Sequence, residues 1–188
     1  MRGNKERGES GFSLLEGTIG LMIIGVVVAF AAPKISNAMG QYRVNIAMRQ
    51  TVDILKRAKT LAVAENRRSG IVADTTNRRL GIVYYNDDLT VNRIEFIPLP
   101  QGVSFQRPAD ITAQPAGVTS TDVVSFPKQG SYNQQDFNSR GFPVVASGAS
   151  VVSIFIGNGK DYRAVTMTSV GGINTYMAEK TQWVNTKK

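Results

Sequence analysis

The chain contains no histidine and no cysteine, which removes most of the side chains that do acid–base or nucleophilic work near neutral pH. Ser-His-Asp and Cys-His mechanisms are therefore excluded, as are disulfides and thiolate metal sites. Carboxylates are the next candidates. Asp87-Asp88 offers two adjacent acids, well short of the roughly six to eight oxygens that calcium takes, and reads as a solvated turn. The stretch GNGKD, residues 157–161, has two glycines and a lysine but lacks the strand–loop–helix setting of a phosphate cradle; a hairpin loop is expected. No catalytic residue, cofactor site or metal site emerges, so the chain is not expected to be an enzyme.

Glu16 is a different matter. It is the sole charge between Phe12 and Ala32, in a run that would span roughly 32 Å as a helix at about 1.5 Å per residue. That length matches the ~30 Å hydrocarbon core of a bilayer. A carboxylate near the bilayer interior costs about 2.5–3.5 kcal/mol or more unless it finds a partner. The chemistry open to Glu16 is thus recognition of a cation.

The elements that would position Glu16 follow from the flanking sequence. Residues 1–11 are polar and carry Arg2, Lys5 and Arg7 against Glu6 and Glu9; a basic leader of this kind stays on the cytoplasmic side while the remainder crosses. A rival reading is a secretory signal, with Ala29-Phe30-Ala31 as the cleavage site and a soluble product beginning at Ala32. Glu16 and the helical pattern beyond the apolar run favour a membrane-anchored helix. Pro33 would kink that helix, because the pattern resumes after it at Ile35, Met39, Tyr42, Ile46, Met48, Val52, Leu55 and Leu61-Ala62. Spacings of three and four mark an apolar stripe, with Arg43, Arg49, Lys56, Arg57 and Lys59 mostly off it. One kinked helix is expected from Phe12 to Glu65, roughly 80 Å long at the same rise.

The segment SGFSLLEGTIGLMIIGVVVAFAAP resembles the N-terminus of type IV pilins and pseudopilins. Farther on, LKRAKTLAVAENRRSGIVAD is similar to the helix end and first strand of GspH/FimT-type minor subunits. VSFPKQGSYNQQDFNSRGFPV and SIFIGNGKDYRAVTMTSVGGINTYM resemble their closing strands. The resemblance implies a prepilin leader over residues 1–11, cleavage by prepilin peptidase between Gly11 and Phe12, and N-methylation of Phe12. It makes Glu16 the assembly residue, meeting the terminal amine of a neighbouring subunit, and Pro33 the helix-kinking proline. It further implies a single-pass inner-membrane protein with a periplasmic C-terminal domain, built into a type IV pilus or a type II secretion pseudopilus as a minor, tip or priming subunit. Its partners would be other pilin or pseudopilin subunits, the peptidase, an inner-membrane assembly platform and membrane lipid. A major pilin is an alternative within the same family.

After Gly70 the period becomes strand-like. Ile71–Ala73, Leu80–Tyr85, Arg93–Leu99, Val123–Phe126, Val151–Ile156, Tyr162–Thr168 and Ile173–Met177 are short runs rich in β-branched and aromatic residues. Residues 106–121 and 127–141 are rich in Pro, Gly, Ser, Gln and Asn and read as loops. The expected fold is α+β: a long kinked helix over 12–66, transmembrane over 12–32, whose amphipathic half packs on an antiparallel sheet in a domain over 67–188. Trp183 either packs on that sheet or marks a contact surface.

Net charge is +8, which suits anionic partners or a soluble basic surface. Arg67-Arg68 and Arg78-Arg79 flank the first expected strand and are expected near one another. With Lys187 and Lys188 they form a candidate phosphate-contacting patch for nucleic acid. Some FimT-type proteins are associated with DNA uptake through a basic tail, but EKTQWVNTKK lacks the arginine-containing motif that role would need. Structural charge is the plainer reading of these residues.

Overall fold

A computed structural model describes residues 13–129, 132–144 and 151–186. The chain forms two compact units, residues 1–39 and 40–188. A single helix, α1 (Leu14–Ala64), runs without interruption through Pro33. In the first unit its residues are almost all exposed, including Leu21, Phe30 and Ile35.

In the second unit the helix buries Val44, Ala47, Thr51, Ile54, Leu55, Ala58 and Ala62. Leu55 and Ala62 of the expected stripe are buried, and Met48, Val52 and Leu61 pack half-buried against the core. Tyr42 and Ile46, expected on the buried stripe, are 62% and 37% exposed. Small residues, Ala47, Thr51, Ala58 and Ala62, face the sheets beside Val44, Ile54 and Leu55. Thr51 returns its hydroxyl to Ala47 O at 2.8 Å, and Ser69 Oγ donates to Ala58 O at 2.6 Å.

The helix ends in a left-handed cap. Asn66 has φ 49°, Asn66 N donates to Val63 O, and Arg67 N donates to Ala62 O. Those are the two bonds of a Schellman motif, with asparagine in the position that tolerates positive φ.

Two five-stranded antiparallel sheets follow, where a single sheet was expected. The first contains β1 (Ser69–Asp74), β2 (Arg79–Tyr85), β3 (Val91–Pro98), β5 (Lys128–Gln129) and β6 (Tyr132–Phe137), in the order β3-β2-β1-β6-β5. The second contains β4 (Ser104–Phe105), β7 (Val151–Gly157), β8 (Tyr162–Thr168), β9 (Ile173–Glu179) and β10 (Gln182–Asn185), in the order β10-β9-β8-β7-β4. One helix face serves both. Ile71, Leu80 and Ile82 of the first sheet and Ile154, Ile156, Val165 and Met167 of the second share one core with the buried helical residues.

Two departures in the strands have local causes. The segment 132–137 forms β6 although its composition suggests a loop, since it pairs with β1 along Ser69–Ala73 and buries Gln134, Gln135 and Asp136. Val123–Phe126 contributes an isolated bridge, Val124 to Ile154, rather than a strand. The GNGKD loop is the expected hairpin, joining Gly157 to Tyr162 in register with Gly159 at φ 89°. Residues 106–121 are irregular as expected. Val118 from this stretch and Val123 just after it pack with Phe155, Ala164, Tyr176 and Trp183 on the second sheet. Trp183 lies 5.4 Å from the Phe155 ring and donates its indole N–H to Ala113 O at 3.1 Å, so it packs on the sheet.

Candidate functional site

The apolar part of α1 is long and apolar enough to cross a membrane. Nothing in its sequence interrupts the backbone ladder early: Thr18 closes its hydroxyl onto Leu15 O at 2.8 Å, and the glycines 17, 20 and 25 have open space around them. Glu16 lies exposed in the first turn, where the helix dipole favours a negative charge. Leu14, Leu15 and Ile19, close to it in sequence, are exposed as well. Gly11 and Phe12, the expected cleavage pair, lie outside the described residues, as do Lys187 and Lys188.

The two arginine pairs do not come together. β1 separates them, with Arg67-Arg68 before its first residue and Arg79 paired across from its last, Asp74. Six residues of strand put roughly 20 Å between the pairs at about 3.3 Å per residue.

Arg68 ion-pairs with Asp136, which is 4% exposed. Asp136 Oδ1 also accepts from the Tyr85 hydroxyl at 2.7 Å and from Gln134 Nε2 at 2.8 Å. The Arg68 guanidinium stands 5.5 Å over the Tyr85 ring. Burial, then the hydrogen bond to Asp136, holds the Tyr85 phenol well above its ordinary pKa.

Arg79 is similarly committed. Its Nε donates to Asp74 Oδ2 at 2.8 Å, and its guanidinium lies 3.9 Å from the Phe96 ring centroid. Burial pushes the Asp74 carboxyl up, but donors from Asn77 and Arg79 outweigh it and hold the pKa below the usual value. A guanidinium held by a buried carboxylate is positioned for the fold rather than displayed for a phosphate.

Arg67 and Arg78 differ. Arg78 is exposed at φ 52°. Arg67 reaches Asp87 at 3.2 Å, with side chains 46% and 84% exposed, an ion pair that contributes little in high dielectric. In the second sheet Arg163 is buried and joins β8 to the helix, donating to Asn45 Oδ1 at 3.0 Å and to Tyr162 O at 2.9 Å. Burial lowers its pKa, offset in part by Asp161 and Glu179.

Asp136 and Tyr85 are the organising groups that the sequence does not announce. The only trace is NQQD, residues 133–136: four hydrogen-bonding side chains in a supposed loop that lacks Gly and Pro across those positions.

The described residues thus define an α+β chain in which one helix bears an exposed apolar segment and also packs on two antiparallel sheets. A solved structure similar to it is that of the type IV minor pilin FimU of Pseudomonas aeruginosa, at 14% identity and a TM-score of 0.49, over 77% of this chain and 94% of that one. The sequence matches no protein-family model and no curated protein.

Proposed function

We propose that this chain is a membrane-anchored structural subunit of a type IV pilus or type II secretion pseudopilus, incorporated as a minor, tip or priming component. The observation that carries this reading is Glu16: a lone carboxylate in an exposed apolar helix, immediately downstream of the Gly11-Phe12 pair. Cleavage between those residues by a prepilin peptidase creates an amine at the start of the helix. The glutamate of one subunit then meets the amine of its neighbour, and methylation leaves that amine protonatable while adding apolar bulk. The charge pair sets register, and packing of the exposed apolar residues supplies the association energy.

Residues 12–32 span the inner membrane in this reading, the domain over 67–188 stands in the periplasm, and an assembly platform extracts the subunit from the lipid. The chain itself has no enzymatic role and is the peptidase's substrate. The commitment of Arg68 and Arg79 to buried carboxylates disfavours nucleic acid as a partner.

The test is Glu16→Ala in the producing cell. Cleavage should proceed and incorporation into sheared filaments should fall to background; undiminished incorporation would overturn the charge pairing.

A further inference from the structure

Where the helix ends, three segments enclose an open recess of ≈ 400 Å³. The helix cap supplies Arg67 and Arg68, the β2–β3 turn supplies Asp87 and Leu89, and the segment after β6 supplies Asn138 and Val144. We propose that this recess docks a protein partner through an acidic side chain flanked by apolar residues, with Arg67 as the principal contact and Asp87 holding the partner's place until it arrives.

The geometry separates the roles of the two aspartates. Asp88 is consumed by its own turn, accepting from Thr90 N at 2.9 Å, and those bonds from Thr90 lower its pKa. Among the described residues Asp87 makes the exposed contact to Arg67 alone, which an incoming carboxylate can exchange at small cost. Arg68 lines the same wall with its side chain 35% exposed, but its guanidinium is held by Asp136, which leaves Arg67 as the exchangeable cation. A carboxylate is the acceptor that a guanidinium fork fits best.

The apolar rim selects protein over nucleic acid. Leu89 and Val144 line the recess at 59% and 46% exposure. Leu89 is also held at φ 64°, a left-handed conformation uncommon for a side chain of its size and one that concentrates at binding sites. Exposed aliphatic residues beside arginine match the composition of a protein interface.

The experiment uses the ¹⁵N-labelled full chain in detergent micelles, titrated with blocked Leu-Glu-Leu, Leu-Gln-Leu and inorganic phosphate. Neither filament assembly nor processing enters this measurement, so its failure leaves the proposed function standing. Leu-Glu-Leu should saturably shift the Arg67 side-chain resonance and the amides of residues 86–90. Leu-Gln-Leu should bind about tenfold more weakly, for want of a charged acceptor.

Asp87→Asn should tighten binding by up to about fivefold, the competitor being gone, and Arg67→Gln should abolish it. Both positions are exposed, and unchanged spectra elsewhere will show that the fold is retained. Three results would each overturn the proposal: absence of shifts at millimolar peptide, equal binding of the glutamine peptide, or no gain from Asp87→Asn. Tighter binding of phosphate than of the glutamate peptide at the same resonances would overturn the choice of a protein partner.

Discussion

Two carboxylates with opposite surroundings show how much environment decides. Glu16 sits on an exposed turn among leucines and isoleucines, where the sequence alone marks it as an anomaly. Asp74 is buried, and its significance is invisible until Asn77 and Arg79 close around it. Because the folded pKa of Asp74 lies below the unfolded value, its stabilisation is complete above the unfolded value and is lost as pH falls through the folded one. The thermal midpoint of the full chain in detergent should therefore drop between about pH 5 and pH 2, and Asp74→Asn should flatten that part of the curve. An equally steep profile in the variant would show that other carboxylates govern the acid limb.

At the scale of elements, most strands were legible because Val, Ile and Tyr cluster between turn residues, and the helix was legible from its uninterrupted pattern. The helix face was legible in its second half, where Met48, Val52, Leu55 and Leu61-Ala62 meet the core, and not in its first. Period analysis follows bulk and hydropathy, so it selected Ile35, Met39, Tyr42 and Ile46. Packing also uses positions that can approach a sheet closely, so Ala47, Thr51 and Ala58 join Val44, Ile54 and Leu55 on the buried side. β6 escaped for a related reason: polar residues enter a strand when tertiary partners satisfy them, as Arg68, Tyr85 and β1 do for Asp136 and its neighbours.

Arg67 and Arg68 were visible as a basic pair, yet nothing local distinguishes the one that is held by a buried acid from the one that is displayed. Substitution tests the helix assignment directly. Ala58→Leu should overpack the core and cost about 1–3 kcal/mol, whereas Ile46→Ser should change stability by less than about 0.5 kcal/mol, both read from chemical denaturation. Similar losses for the two variants would mean that the buried side has been misassigned.

For the whole molecule, the proposed function carries a prediction about covalent state. Intact mass spectrometry of the chain from its producing cell should give residues 12–188 with one added methyl group. A product beginning at Ala32 would convert the apolar segment into a discarded signal and remove the anchor altogether. Between residues 40 and 64 the helix keeps its two obligations apart: Val44, Ile54, Leu55, Thr51 and the buried alanines hold the domain together, while Tyr42, Ile46, Arg49, Lys56 and Arg57 face outward. The outward set is free to drift under selection for new neighbours without taxing the core. A lineage of such chains can change its associates and keep its architecture, and sequence divergence should be greatest on the outer side of this one helix.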